Sequence, residues 1–373
     1  MAIVSFPNLE VCADDFLSLP TRLYADDPKY IPPVKKDIRQ WLNHSPASGA
    51  TAHFLAYQGG VAVGRVSAFA NDQLRDTDDT RLGTIGLFEC VDDYSVAREL
   101  FDAAISWLRD SHGLTCVWGP MNGDIWHGYR LMTRGFDQEP FVGEPYNKPY
   151  YPHLFEQFGF KVKQEWDSVE IEGADLLHKM IERGRQRLDL LKAKGYRLET
   201  WNPKRRTELI HTLYLVLCES YGRFLGYTPI SQTEFEWIFE QLEPALDPEL
   251  FLLCWSPDGA CTGFAVAFPD LAEPVRAMRG NSDLFARLRF LAHHRRAHRL
   301  NFYIGGVTPR EEAKGSGLGR AGFYYIINRG LEKGYTNLLL TLRLKGNKAH
   351  GLAARSGVVP QREYALYEYL YER

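Results

Sequence analysis

The chain has 373 residues, more than one ordinary core accommodates, so two domains are expected. Its composition is globular, at 45% hydrophobic, 24% charged and 13% aromatic, and its net charge of −3 argues against a nucleic-acid partner. The six cysteines are scattered without CxxC or zinc spacing, so reduced thiols and no metal site are expected. No basic leader and no run of about 18 apolar residues occurs, so no membrane span is expected and the cytoplasm is the expected compartment.

Taken in chain order, residues 54–57 and 61–70 read as two strands turning at Gly59-Gly60. A strand over 83–90 follows, then a helix over 94–109 with Val96, Leu100, Ala104 and Leu108 at helical spacing, closed by Gly113. A short buried strand over 114–118 precedes a long Gly- and aromatic-rich stretch, 120–145, unique to this half. A charged helix over 176–194 leads into a strand over 196–200 and a helix over 207–220. Strands over 250–255, 261–268 and 301–307, a helix over 318–333 and a strand over 337–342 then repeat the first order. Asn147 and Asn347 open matching endings about 200 residues apart, which indicates an internal duplication of a mixed α/β unit. The division is placed at 1–173 and 174–373. The tail, with Tyr364, Tyr367, Tyr369 and Tyr371, reads as edge strands.

The strand ending Gly305-Gly306-Val307-Thr308-Pro309 runs through a turn into Lys314-Gly315-Ser316-Gly317-Leu318-Gly319-Arg320, which opens a helix. Glycines allow a phosphate close to the backbone, and the first helical turn offers it unpaired N–H groups. This segment resembles the pyrophosphate loop of the GCN5-related N-acetyltransferases (GNAT), with Lys314 in place of the first Arg or Gln. The segment from Asn347 to Gly357 is similar to the family's next motif. The resemblance implies two tandem GNAT-like acyl-CoA N-acyltransferase domains, each a mixed, mainly antiparallel sheet flanked by helices. It implies acetyl-CoA or another acyl-CoA as co-substrate, held by Gly305, Val307, Lys314, Gly315, Ser316, Gly317, Leu318, Gly319, Arg320 and Asn347. A small-molecule or peptide amine is the implied acceptor.

Three departures from the family accompany this reading. The loop is about two residues longer, its first position is lysine, and Ala353 stands where many members carry an acidic tyrosine. Catalytic residues are therefore left open, with Glu219 and Tyr221 as candidates near the acceptor pocket. The first copy carries Asp92 and Asp93 at its loop position, and carboxylates there repel phosphate, so it is expected not to bind coenzyme A. Its acceptor-facing role is expected in residues 118–129, bounding a shared cleft. The basic run from His293 to Arg299 reads as a solvated helical face. The alternatives are a non-catalytic coenzyme A or acyl-ligand sensor or scaffold, and transfer of an aminoacyl group. The patterns set neither acyl length nor oligomeric state.

Overall fold

The apolar runs flanking Gly59-Gly60 close as an antiparallel hairpin, because both turn glycines take positive φ, 56° and 79°. In the computed structural model, residues 1–7, 13–33, 38, 49–281, 283–294, 298–346 and 358–371 are described. The first copy comprises β1 (Ala2–Phe6), α1 (Ala13–Leu23), β2 (Gly49–Gln58), β3 (Val61–Asn71), β4 (Gly83–Cys90) and α2 (Tyr94–His112). It continues with β5 (Cys116–Gly119), β6 (Leu131–Arg134), α3 (Tyr151–Phe158) and β7 (Lys161–Glu172). Helix α2 starts where the Asp93 carboxylate accepts the Ser95 N–H at 2.8 Å and ends at Gly113, φ 67°. Its stripe Val96, Leu100, Ala104 and Leu108 is fully buried on the sheet.

The second copy comprises α4 (Ala174–Ala193), β8 (Arg197–Thr200), α5 (Arg206–Tyr221), α6 (Gln232–Leu242), β9 (Phe251–Trp255) and β10 (Cys261–Pro269). Then come α7 (Ala272–Met278), α8 (Leu284–His294), β11 (Arg299–Val307), α9 (Pro309–Lys314), α10 (Leu318–Glu332), β12 (Asn337–Leu344) and β13 (Arg362–Leu370). One core lies under α4 and α10, and a separate aromatic one lies under α5 and α6.

The described strands form one sheet in the order β1-β2-β3-β4-β5-β13-β7-β12-β11-β10-β9-β8, with β6 also on β13. The halves exchange their last strands: β7 pairs with β12, and β13 pairs with β5. The tyrosine-rich tail is thus an interior strand rather than the expected edge. Tyr364, Ala365, Leu366 and Tyr367 are all buried, Tyr364 and Leu366 in one core and Ala365 and Tyr367 in another, which is what a strand covered on both faces requires. No helix among the described residues is long and apolar enough to cross a membrane.

Candidate active site at the splayed strands

Strands β11 and β12 pair in parallel only from Arg299–Phe302 against Asn337–Leu340, and then part. Strand β11 stays with β10 as far as Val307. Strand β12 instead shifts register against β7 between Leu340 and Arg343, where Leu342 takes φ 50° and its N–H bonds Ser168 Oγ at 2.9 Å. The result is a wedge whose β11 edge, beyond Phe302, has no β12 partner. An extended ligand can add there by backbone hydrogen bonds.

At the wide end, Thr308 caps the single turn α9 by accepting the Glu311 N–H at 3.3 Å. Gly315 and Gly317 take left-handed φ of 61° and 78°, and Gly317 is the N-cap of α10. Arg187, on α4, lies across this loop: a Cβ on Gly317 would sit 2.5 Å from its guanidinium. The loop therefore joins a helix N-terminus to an arginine, both favourable to an anion.

Gly305, Val307, Gly315, Ser316, Gly317, Leu318, Gly319 and Arg320 line one cavity of about 1450 Å³. Lys314 turns back, 3.2 Å from the carboxylate of buried Glu311, which also accepts the Tyr196 hydroxyl at 2.8 Å. Asn347 and Ala353 lie outside the described residues. Glu219 is on the exposed side of α5, away from the cavity, whereas Tyr221 lines it. The arginine at 299, read as part of a solvated run, is buried in β11 between Asp270 and Glu170.

Both halves wall this cavity. From α5, α6 and β10 come Leu213, Leu217, Phe235, Phe239 and Phe264; from the first half come Asn122, Trp126, Tyr129, Arg130 and Trp166. Arg130 has φ 90°, and its guanidinium lies 3.8 Å over the Tyr129 ring and 4.5 Å from that of Trp166. Burial lowers its pKa and raises that of Tyr221, whereas Tyr303 is 41% exposed; both are neutral phenols that can donate a hydroxyl into the cavity they line. His127 bridges Asp124 Oδ1 at 2.9 Å and Glu234 Oε1 at 3.2 Å, joining the 120–145 stretch to α6. Burial would depress its pKa, but the two carboxylates outweigh that and hold it at about 9. It is therefore an imidazolium at neutral pH and no base.

The first copy has the same splay, closed by its own chain. Strand β4 pairs with β5 only at Gly83 and Thr84. Beyond them, Met121 N–H bonds Ile85 O at 2.7 Å, and Asn122 Oδ1 accepts the Leu87 N–H at 2.9 Å. Leu87 is held at φ 48°, and a Cβ on Gly86 would lie 2.3 Å from Asn122 Oδ1. A backbone edge that is open in the second copy is occupied here, and Asp93 occupies the helix N-terminus.

No protein-family model matches the chain. It is 26% identical to a bacterial ceramide synthase of Caulobacter vibrioides over 95% of this chain and 93% of that one. It is 27% identical to protein YghO of Escherichia coli over 74% of this chain and 70% of that one. Among solved structures, it matches a tandem GNAT protein from the clavulanic acid biosynthesis pathway at TM-score 0.56 and 14% identity, covering 100% and 99% of the two chains. A GCN5-related N-acetyltransferase from Sphaerobacter thermophilus matches at TM-score 0.51 and 12% identity, covering 100% and 96%.

Proposed function

We propose, starting from a chain with the tandem GCN5-related N-acetyltransferase fold, that it transfers a fatty acyl group from coenzyme A to the amine of a long-chain acceptor. The observation that carries this reading is the opening of the β11/β12 wedge into a large, mostly apolar cavity walled by both halves. A site for acetyl transfer to a small polar amine has no use for aromatic and aliphatic walls from α5, α6 and β10, whereas an alkyl chain gains by burying against them. The likeness to a ceramide synthase points the same way, since a ceramide is the amide of a fatty acid with a long-chain amino alcohol.

In this reading the residues divide the task. The first turn of α10, Gly317, Gly319, Arg320 and Arg187 hold the pyrophosphate, and the open edge of β11 from Tyr303 to Val307 holds the pantetheine arm. The thioester supplies an activated acyl carbon. The amine must attack uncharged, and its proton ends on the departing sulfur. Tyr221 and Tyr303, neutral phenols on the cavity wall, offer hydroxyls for that delivery, taking the place of the tyrosine missing at Ala353. Arg130 brings positive charge to the same chamber. The first copy gives walls and no second cofactor site, because Asn122 and Asp93 occupy the equivalent groups.

Titration calorimetry with coenzyme A tests the cofactor part: one site per chain is expected. Two equivalent sites would overturn the assignment of the first copy as closed.

A further inference from the structure

Helix α8 belongs to an insert, residues 270–298, that the first copy lacks. It presents its apolar residues to the outside. Leu284, Leu288 and Leu291 stand one turn apart on one face and are 69%, 54% and 64% exposed, and Phe285 beside them is 71% exposed. The opposite face carries fully buried Ala286 and packs on α7. Four large apolar side chains on one eleven-residue helix form a continuous ridge, unlike scattered exposed leucines.

The insert that carries this ridge is basic in sequence. Between residues 272 and 298 the sequence has six arginines (276, 279, 287, 289, 295 and 296) against two carboxylates, Glu273 and Asp283, in a chain whose net charge is −3. Arg287 is exposed and Arg289 half-buried on α8 itself. An apolar ridge flanked by arginines is the pattern of a helix lying in the plane of a bilayer surface, its apolar face among acyl chains and its cations at anionic headgroups. A second copy is the poorer occupant, because two arginine-rich faces would repel.

The placement is specific. Val275 of α7 lines the cavity, and a Cβ on Gly280, in the α7–α8 turn, would lie 3.1 Å from Pro33 O and 3.3 Å from Pro32, both cavity-lining residues of the first half. The ridge therefore lies one helix layer outside the cavity wall.

We propose that α8 docks this protein on an anionic membrane leaflet and sets the α7 end of the cavity against the lipid surface. This stands on the surface alone and does not need the acceptor assignment above. The test is flotation of the full chain with phosphatidylglycerol-rich vesicles and with phosphatidylcholine vesicles, without any acyl donor. The wild type is expected to float with the former, to be released as salt rises, and to bind the latter weakly. Leu288→Glu/Leu291→Glu is expected to lose binding by about tenfold or more with an unchanged melting curve, because both side chains are already exposed. Failure of the wild type to float, or undiminished binding by the variant, overturns the proposal. So does a wild-type dimer in light scattering that the variant converts to monomer without vesicle binding.

Discussion

Arg187 is the residue that the sequence concealed most completely. It lies about 130 positions before the loop it covers, in a helix read only as charged, and no local pattern marks it. Only the packing of α4 across α10 brings its guanidinium to Gly317. The turn through the glycines was legible because it is local: left-handed backbone at 315 and 317 favours glycine whatever surrounds it. Lys314 illustrates the converse, since it has the right position but its ammonium is drawn to buried Glu311. Arg187→Ala is expected to weaken coenzyme A binding roughly tenfold or more, the size of a lost charge-assisted contact. Its affinity for a phosphate-free pantetheine analogue should not change. Equal losses for both ligands would place Arg187 outside the phosphate site.

At the scale of elements, strands and helices were read well wherever burial is one-sided, as in α2, and poorly where it is not. Helix α8 was not read as an element: only the run from His293 to Arg299 was, as a solvated helical face, while the helix itself buries Ala286 and turns Leu284, Leu288 and Leu291 outward. The His127 clamp was hidden for a different reason, since its partners Asp124 and Glu234 come from separate elements. This clamp has a pH signature. Folded His127 keeps its proton to about 9, against 6.5 for the free side chain. The stability it contributes is therefore complete below pH 6.5 and is lost as pH rises through 9. The stability gap between wild type and His127→Gln, measured by denaturant titration, should be at most about 3 kcal/mol near pH 6 and should shrink by pH 10. A gap constant over that range would remove the charged clamp from this account.

For the whole molecule, the duplication was visible as one order of elements met twice, but the exchange of final strands was not. Strand pairing leaves no trace in alternation, because β7 and β13 would show the same pattern beside either half. The exchange has a consequence. The first half alone lacks the strand that covers β5, and the second half alone lacks the one that covers β12. Expressed separately, residues 1–173 and 174–373 should be aggregation-prone, whereas co-expression should recover a stable complex. Two independently folded, monomeric halves would show that the exchange is dispensable.

The exchanged strands also hold both walls of the cavity in one body, which is what a shared acceptor chamber requires. The most direct test of that chamber is product analysis by mass spectrometry. Purified protein is incubated with long-chain acyl-coenzyme A and either a long-chain amino alcohol or a short polar amine. The N-acyl amide of the long-chain acceptor is expected, with one coenzyme A released per amide and little reaction with the short amine. Amide formation on the short amine alone, or none with any donor, would contradict it.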